Sequence, residues 1–540
     1  MSRRLDGTDT ISSVDETKAD PEDGLTIDQN RLSKLDTTIS TASQQYQSVI
    51  SRLRSRTSGQ NASFSHPLEH AKTSPDVLVT FDGPDDPYMP QNWTFRKKCI
   101  TTFLYGFTTM GSTWASAAYS PGIHQIAREF DVSEQISTLG MSLLLFGFAV
   151  GPLLWAPLSE LYGRKPAVLF PYFIAAIFAF ATATAENIQT VMIARFFCGF
   201  FASAPITNTG GVLGDIWSPE ERGAAIVGYA FAVTGGPTLG PIVGGAIIHT
   251  QLSWRWIEYI SGIMMLFFVA LDAIFIDESY PPILLVYKAQ KLRHQSGNWA
   301  LHAAHEEWDV GFREMANKYL IVPFQLLATP ICFLVALYAS FCYGILYMNL
   351  TSFPIQFQEE RGWDILVGQT PFLALLVGVL LGGVANLSNQ KFYIQQYKKN
   401  NNRPLPEARL RPMMYGSVVF AAGLFIIGWT SDHRITWVAP VLGAVTMGFG
   451  FFTVFQGAIN YLIDTFPTVS ASAIGANTFL RSVFGGGFPL FARPMFNKLG
   501  IAWASSLLGF FAVALIPIPF LFYTFGRRIR AKGKWSRPSL

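Results

Sequence analysis

Twelve stretches of this chain run for about twenty residues with almost no charge. They fall at approximately 99–119, 136–157, 167–185, 188–213, 224–248, 256–276, 326–350, 367–388, 412–431, 436–459, 467–491 and 501–525. A helix of about twenty apolar residues matches the hydrocarbon thickness of a bilayer. Length alone would point to about three or four soluble domains. Composition overrides it: half the residues are hydrophobic, 14% are charged and 45 are phenylalanine. The reading is an all-α membrane protein with twelve transmembrane helices.

The positions of Lys and Arg orient the spans. With both termini in the cytoplasm, that side carries 32 basic residues and the outside carries 6; without the two tails the ratio is 14 to 6. Basic residues accumulate on the cytoplasmic side of spans, so both termini are expected there. The expected organisation is a disordered tail over 1–80 and a linker over 81–98. A six-helix half over 99–276, a cytoplasmic central loop over 277–325, a second six-helix half over 326–525 and a basic tail over 526–540 follow. Within the first tail, Tyr46, Val49, Ile50 and Leu53 share a helical face near three arginines, which suits either a membrane surface or a fluctuating helix. The first apolar run begins near Cys99, so no cleavable secretory signal is expected.

The halves carry a weak repeat. At an offset of 249 residues Asp215 falls on Asp464 and Gly236 on Gly485. Matched halves with a site at their interface are the architecture of secondary transporters. No phosphate-binding loop of the type G-x-x-x-x-G-K-[ST] occurs, and no nucleophile–base or metal cluster appears, so an enzyme or an ATP motor is disfavoured. The four cysteines lie in or beside apolar spans and read as packing residues. No cofactor, metal or nucleic-acid partner is expected.

Three motifs sharpen this picture. Between spans two and three stands Ala156-Pro-Leu-Ser-Glu160-Leu-Tyr-Gly163-Arg164-Lys165, in which Glu160 is expected to pair with the basic residues and Gly163 to permit a tight turn. Asp215 is a second candidate partner for Arg164, and Arg222 follows in the next loop. Span four carries Arg195 in R-x-x-x-G, a charge that costs a few kcal/mol at membrane depth and so calls for a cavity or a partner. Span five holds Gly236-Pro237-Thr-Leu-Gly240-Pro241-Ile-Val-Gly244-Gly245, an unusual density of helix-weakening residues suited to close helix contacts. Together the motifs resemble the major facilitator superfamily, in the fungal twelve-span drug:proton antiporter form. The resemblance covers about residues 81–525, with Ala156 and Leu161 departing from the general loop motif.

That resemblance implies a major facilitator fold and a cytoplasmic latch of Glu160, Gly163, Arg164, Lys165, Asp215 and Arg222. It also implies a role for Arg195 in proton coupling, and proton-driven export of drugs, toxins or secondary metabolites from a monomer in the plasma membrane. Glu258 reads equally as a cavity-facing acid or as a rim charge paired with Arg255. Arg481 is the other mid-span cation. Tyr105, Asn208, Tyr343, Tyr347, Asn349, Gln356 and Asn460 are cavity candidates. The alternatives are a polyamine or organic-cation transporter drawing on Glu258 and, more distantly, a nutrient sensor on the same fold. The expected partners are a small-molecule substrate, protons and lipid.

Overall fold

The structure, a computed structural model, describes residues 77–218, 221–250, 252–307, 320–400, 405–533 and 535–536. The helical face at 46–53 and the central-loop stretch 308–319 lie outside the described residues.

Long helices account for the apolar runs. We label them α1 (Phe95–Ala117), α2 (Glu134–Leu161), α3 (Arg164–Ala183), α4 (Ile188–Ile216), α5 (Arg222–His249) and α6 (Arg255–Phe275). The second half comprises α7 (Pro330–Glu359), α8 (Pro371–Lys399), α9 (Arg411–Thr430), α10 (Val438–Thr465), α11 (470–499) and α12 (501–532). Gly500, at φ 73°, divides the last two, which otherwise form one 63-residue run. Ten helices qualify as spans by length and hydropathy, and that long run supplies two of the twelve. The remaining one, α1, falls short because Thr101, Thr108, Thr109, Ser112, Thr113 and Ser116 are turned into the protein. Five of these hydroxyls return to helix carbonyls, as Thr109 to Tyr105 at 2.8 Å, while that of Thr101 is buried without a partner among the described residues. Helices α1–α6 and α7–α12 form two halves, which meet along α2 against α11 and α5 against α8.

The glycines of span five explain how α5 fits. Gly236, Gly240 and Gly244 recur every four residues, which places them on one helix face. A Cβ at Gly236 would lie 2.5 Å from the Trp114 amide nitrogen, at Gly240 3.0 Å from the Ala118 nitrogen, and at Gly244 2.5 Å from the Ala118 carbonyl oxygen. Helices α1 and α5 therefore meet backbone to backbone, and a side chain would hold them apart. Gly245 points elsewhere, with Gln369 of the second half 2.9 Å from its would-be Cβ. Pro237 and Pro241 are buried within the same continuous helix. In the repeat-related stretch, Gly486 faces the Ser142 carbonyl of α2 at 3.0 Å, Gly485 meets the Tyr343 ring at 3.1 Å and Gly487 meets nothing.

The segment before α1 is not a loose connection. Val79 donates to the His302 carbonyl at 2.8 Å, and Lys288 of the surface helix Pro281–Ser296 reaches Asp86 at 2.7 Å and Asp82 at 2.9 Å. Burial pushes the Asp86 carboxyl up, but the Lys288 ammonium and the backbone amides of Asp82 and Tyr88 outweigh it and hold the group below its ordinary value. The chain's entry into the membrane is thereby tied to the connection between the halves.

Replacing Gly236 or Gly240 by Leu is expected to abolish transport without loss of membrane insertion, because overpacking a helix contact costs about 1–3 kcal/mol or more. Gly487→Ala, in open space, is the matched control and should transport normally. Uptake or efflux measured at equal membrane abundance checks this; full transport in both leucine variants would contradict the packing account.

Candidate functional site

A cavity of about 400 Å³ lies between the halves, within the range of small-molecule sites. Helices α2, α4 and α5 line one side, including Ala156, Glu160, Asn208 and Tyr229; α10 and α11 line the other, including Phe455, Gln456, Thr478 and Arg481. Its mouth lies at the end of the bundle that carries the turn at 163 and the connection between the halves, where Arg164, Asp215 and Arg222 border it. We call this the connection face and the opposite end the far face.

A helix begins with four amides that lack an intrahelical partner, and at the start of α3, on the connection face, Pro166 removes one of them. Glu278 accepts from the Arg164 amide at 2.8 Å and from the Lys165 amide at 3.0 Å, so a carboxylate caps the positive end of the helix dipole. Gly163 has φ +99°, and a Cβ there would collide with the Glu278 carboxylate. The glycine serves both the turn and the close approach of the acid. The Arg164 guanidinium then points away, to Asp215 at 3.0 Å and to the Ser159 hydroxyl at 2.9 Å, over the Tyr280 ring. Lys165 donates to the Ala273 carbonyl, and Arg222 to the Gly214 carbonyl near the end of α4.

The Arg164 guanidinium answers to two acids, the Glu160 carboxylate expected from the sequence, whose charge acts on it, and Asp215 in a direct ion pair. Asp215 takes the Arg164 ion pair, because it closes α4 directly opposite the start of α3, while Glu160 lines the cavity mouth. Glu278 escaped sequence reading, since its partners are more than a hundred residues away. The second half repeats the clamp: Arg409 meets Asp464 at 3.1 Å, and Tyr393 donates to the same carboxylate at 2.8 Å. The offset that equates Asp215 with Asp464 was legible, but Arg409 was not singled out.

Glu258 takes neither of the two positions considered for it. It neither lines the cavity nor pairs with Arg255, which instead meets Glu129 at 2.7 Å. Glu258 is 1% exposed and accepts from Arg195 at 2.9 Å within the first half. Arg195 also donates to the Gly140 and Ala115 carbonyls and lies 4.4 Å from the Tyr119 ring centre. The second oxygen of Glu258 and Nη2 of Arg195 are buried without a hydrogen-bond partner among the described residues. One arginine thus joins α1, α2, α4 and α6.

Of the polar cavity candidates, Asn208 lines the cavity. Tyr343 and Tyr347 stand behind its inner wall: Tyr343 packs against Phe455 and Arg481, and Tyr347 bonds Ser116 of the first half at 2.7 Å. Tyr105 packs in a separate apolar cluster with Val168 and Val212. Asn349 and Gln356 are spent inside the second half on Met447 and Ser352, and on Ser431, respectively. Asn460 is absent from the lining. A helix's facing cannot be read from polarity when all its sides are buried, as in α7. Tyr229, Gln456 and Thr478, which do line the cavity, carried no pattern in the sequence that set them apart.

The far face is closed. Arg493 of α11 bridges Glu134 of the first half at 2.9 Å and Glu359 of the second at 2.8 Å. His249, at the end of α5, approaches Asp364 across the same seam at 2.9 Å. These pairs hold the halves together at the face opposite the cavity's charged end.

The Arg195–Glu258 pair predicts a specific stability pattern. Glu258→Ala leaves a buried cation uncompensated, which costs about 3–5 kcal/mol. Combining it with Arg195→Met should recover much of that loss, as read from thermal unfolding of the purified chain in detergent. Strictly additive losses would contradict direct pairing.

Comparison with known proteins accords with this geometry. The Major Facilitator Superfamily profile matches residues 102–489. "Efflux pump bik6" of Gibberella fujikuroi is 49% identical over 472 residues, covering 87% of this chain and 97% of that protein. "Citrinin biosynthesis cluster MFS transporter mrr1" of Monascus ruber is 40% identical, covering 87% and 95%. Among solved structures, the proton:xylose symporter XylE aligns with a TM-score of 0.54 at 15% identity, covering 80% of this chain and 96% of that one. The human organic anion transporter MFSD10 aligns at 0.53 and 13%, covering 79% and 99%, and both share the fold. With its two six-helix halves around a shared cavity, the chain belongs to the major facilitator superfamily of membrane transporters.

Proposed function

We propose that this protein exports small amphipathic molecules, drugs or secondary metabolites, across the plasma membrane by proton antiport and alternating access. The observation that carries the reading is the cavity between the halves, bordered by the connection face and bridged at the far face by ion pairs that span the seam. The positive-inside bias assigns the connection face to the cytoplasm, so the conformation described is inward-facing and ready to load cargo for export. The efflux name of the 49% identical relative supports the direction, and the biosynthetic-cluster name of the other supports the cargo class.

Exporting against a gradient requires that proton and cargo affect each other's binding. Two buried groups are suited to this. Arg195–Glu258 lies at the far-face end of the first half, and protonation of Glu258 from outside would release Arg195 from one of its partners. Asp215, clamped by Arg164 at the other end of α4, would exchange with the cytoplasm. The polyamine reading loses its residue, since Glu258 already has a cation and does not face the cavity.

Everted membrane vesicles from an efflux-deficient yeast expressing the chain test the reading. Labelled cargo uptake should rise with an inside-acid gradient and collapse with an uncoupler; uptake indifferent to the gradient would rule out antiport. Arg493→Ala removes both ion pairs of the far-face bridge. Partly exposed pairs are worth about 0–1 kcal/mol each, so the outward-facing population should rise by roughly fivefold. Labelling of a Ser116→Cys variant by an external thiol reagent measures this, and an unchanged rate would count against the bridge as a gate.

A further inference from the structure

We propose that Arg481 is the cargo anchor and that it selects a planar aromatic molecule bearing a carboxylate or an acidic phenol; this rests on the cavity's role in transport argued above. Arg481 sits near the middle of α11 and lines the cavity, 6% exposed. Among the described residues no carboxylate forms an ion pair with it, and its Nε is buried without a hydrogen-bond partner. The two carboxylates that line the cavity, Glu160 and Asp215, stand at the mouth, and Asp215 is held by Arg164. Counting Glu160 and Asp215 against Arg164 and Arg222 leaves the mouth formally neutral, so Arg481 gives the cavity one net positive charge.

An arginine in a membrane interior ordinarily finds an acid or carbonyls, as Arg195 does in the other half. Arg481 instead is flanked by aromatic faces, with its guanidinium carbon 5.1 Å from the Tyr343 ring centre and 5.2 Å from that of Phe455. Aromatic faces leave the in-plane donors of the guanidinium available. Those donors match a carboxylate or phenolate, with which arginine makes its strongest hydrogen bonds. Gln456, fully buried in the same lining, has both side-chain amide atoms unpartnered among the described residues and so offers a donor and an acceptor in the cavity that holds the cation. Phe455 and Tyr229 supply flat walls. A cationic cargo would meet a like charge at Arg481, while the cavity's two acids stand at its mouth.

Two xanthene dyes of similar shape and opposite charge, fluorescein and rhodamine 6G, test the assignment by fluorescence anisotropy with the purified full chain in nanodiscs. Fluorescein should bind more tightly than rhodamine 6G. Arg481→Gln should weaken fluorescein binding by about tenfold or more, Arg481→Lys should weaken it less, and Arg481→Glu should reverse the preference. Each variant is first checked for unchanged thermal unfolding; if the glutamine variant misfolds, the wild-type dye preference and the lysine variant still decide. Equal affinity for the two dyes, a preference for rhodamine 6G, absence of fluorescein binding or an unaltered Arg481→Gln variant would overturn the proposal. Parallel vesicle uptake separates it from the antiport reading. Anion-selective binding with gradient-independent uptake sinks antiport and leaves the anchor. Gradient-driven rhodamine 6G uptake undiminished in Arg481→Gln sinks the anchor and leaves antiport.

Discussion

The contact between α1 and α5 is the constraint on which the rest of the arrangement depends. Gly236, Gly240 and Gly244 bring the two backbones together with no side chain between them. Lipid offers no hydrophobic drive for helix association, so this closeness must come from shape and dispersion alone. With α5 drawn against α1, its other faces are available to meet α8 across the seam and to present Tyr229, Ala230 and Val233 to the cavity. A larger residue on the glycine face would displace the cavity wall and the inter-half contact together.

Charges are distributed in a way that separates rigidity from motion. Each half closes its own connection end with an arginine–aspartate clamp, Arg164 with Asp215 and Arg409 with Asp464. The first half also carries Arg195 with Glu258, entirely internal. Among the described residues the ion pairs between halves, in contrast, lie at the far face, where Arg493 and His249 are partly exposed to water. Exposed pairs break at little cost, whereas buried ones do not. The halves therefore have the makings of two stiff bodies joined by reversible contacts, which is what alternating access between two populated states requires.

Much of this was legible in the amino-acid order, because lipid imposes length and apolarity on each span. The twelve runs, the glycine spacing of α5 and the link from Asp215 to Asp464 are properties of local sequence. What was not legible depends on which side of a buried helix faces which neighbour. Glu258 sits in the first turn of α6, where a rim position was equally plausible, and only the third dimension brings Arg195 to it. Glu278 caps a helix that begins far away in the chain. Tyr343 and Asn349 lie on one helix, yet the first packs behind the cavity and the second is spent on Met447 and Ser352. The segment before α1, rich in turn residues, read as a linker because the Lys288 that holds Asp86 comes from the other side of the first half.

The central claim, that the two halves rock about the cavity so that one face closes as the other opens, is tested most directly by paired distance measurements. Spin labels on the full chain with its four cysteines replaced would report the far face from exposed Arg128 and Arg434, and the connection face from exposed Tyr162 and Lys399. Shifting pH across the range that drives transport should lengthen the far-face distance in the same population whose connection-face distance shortens. Distances that remain fixed, or that lengthen together, would contradict the account.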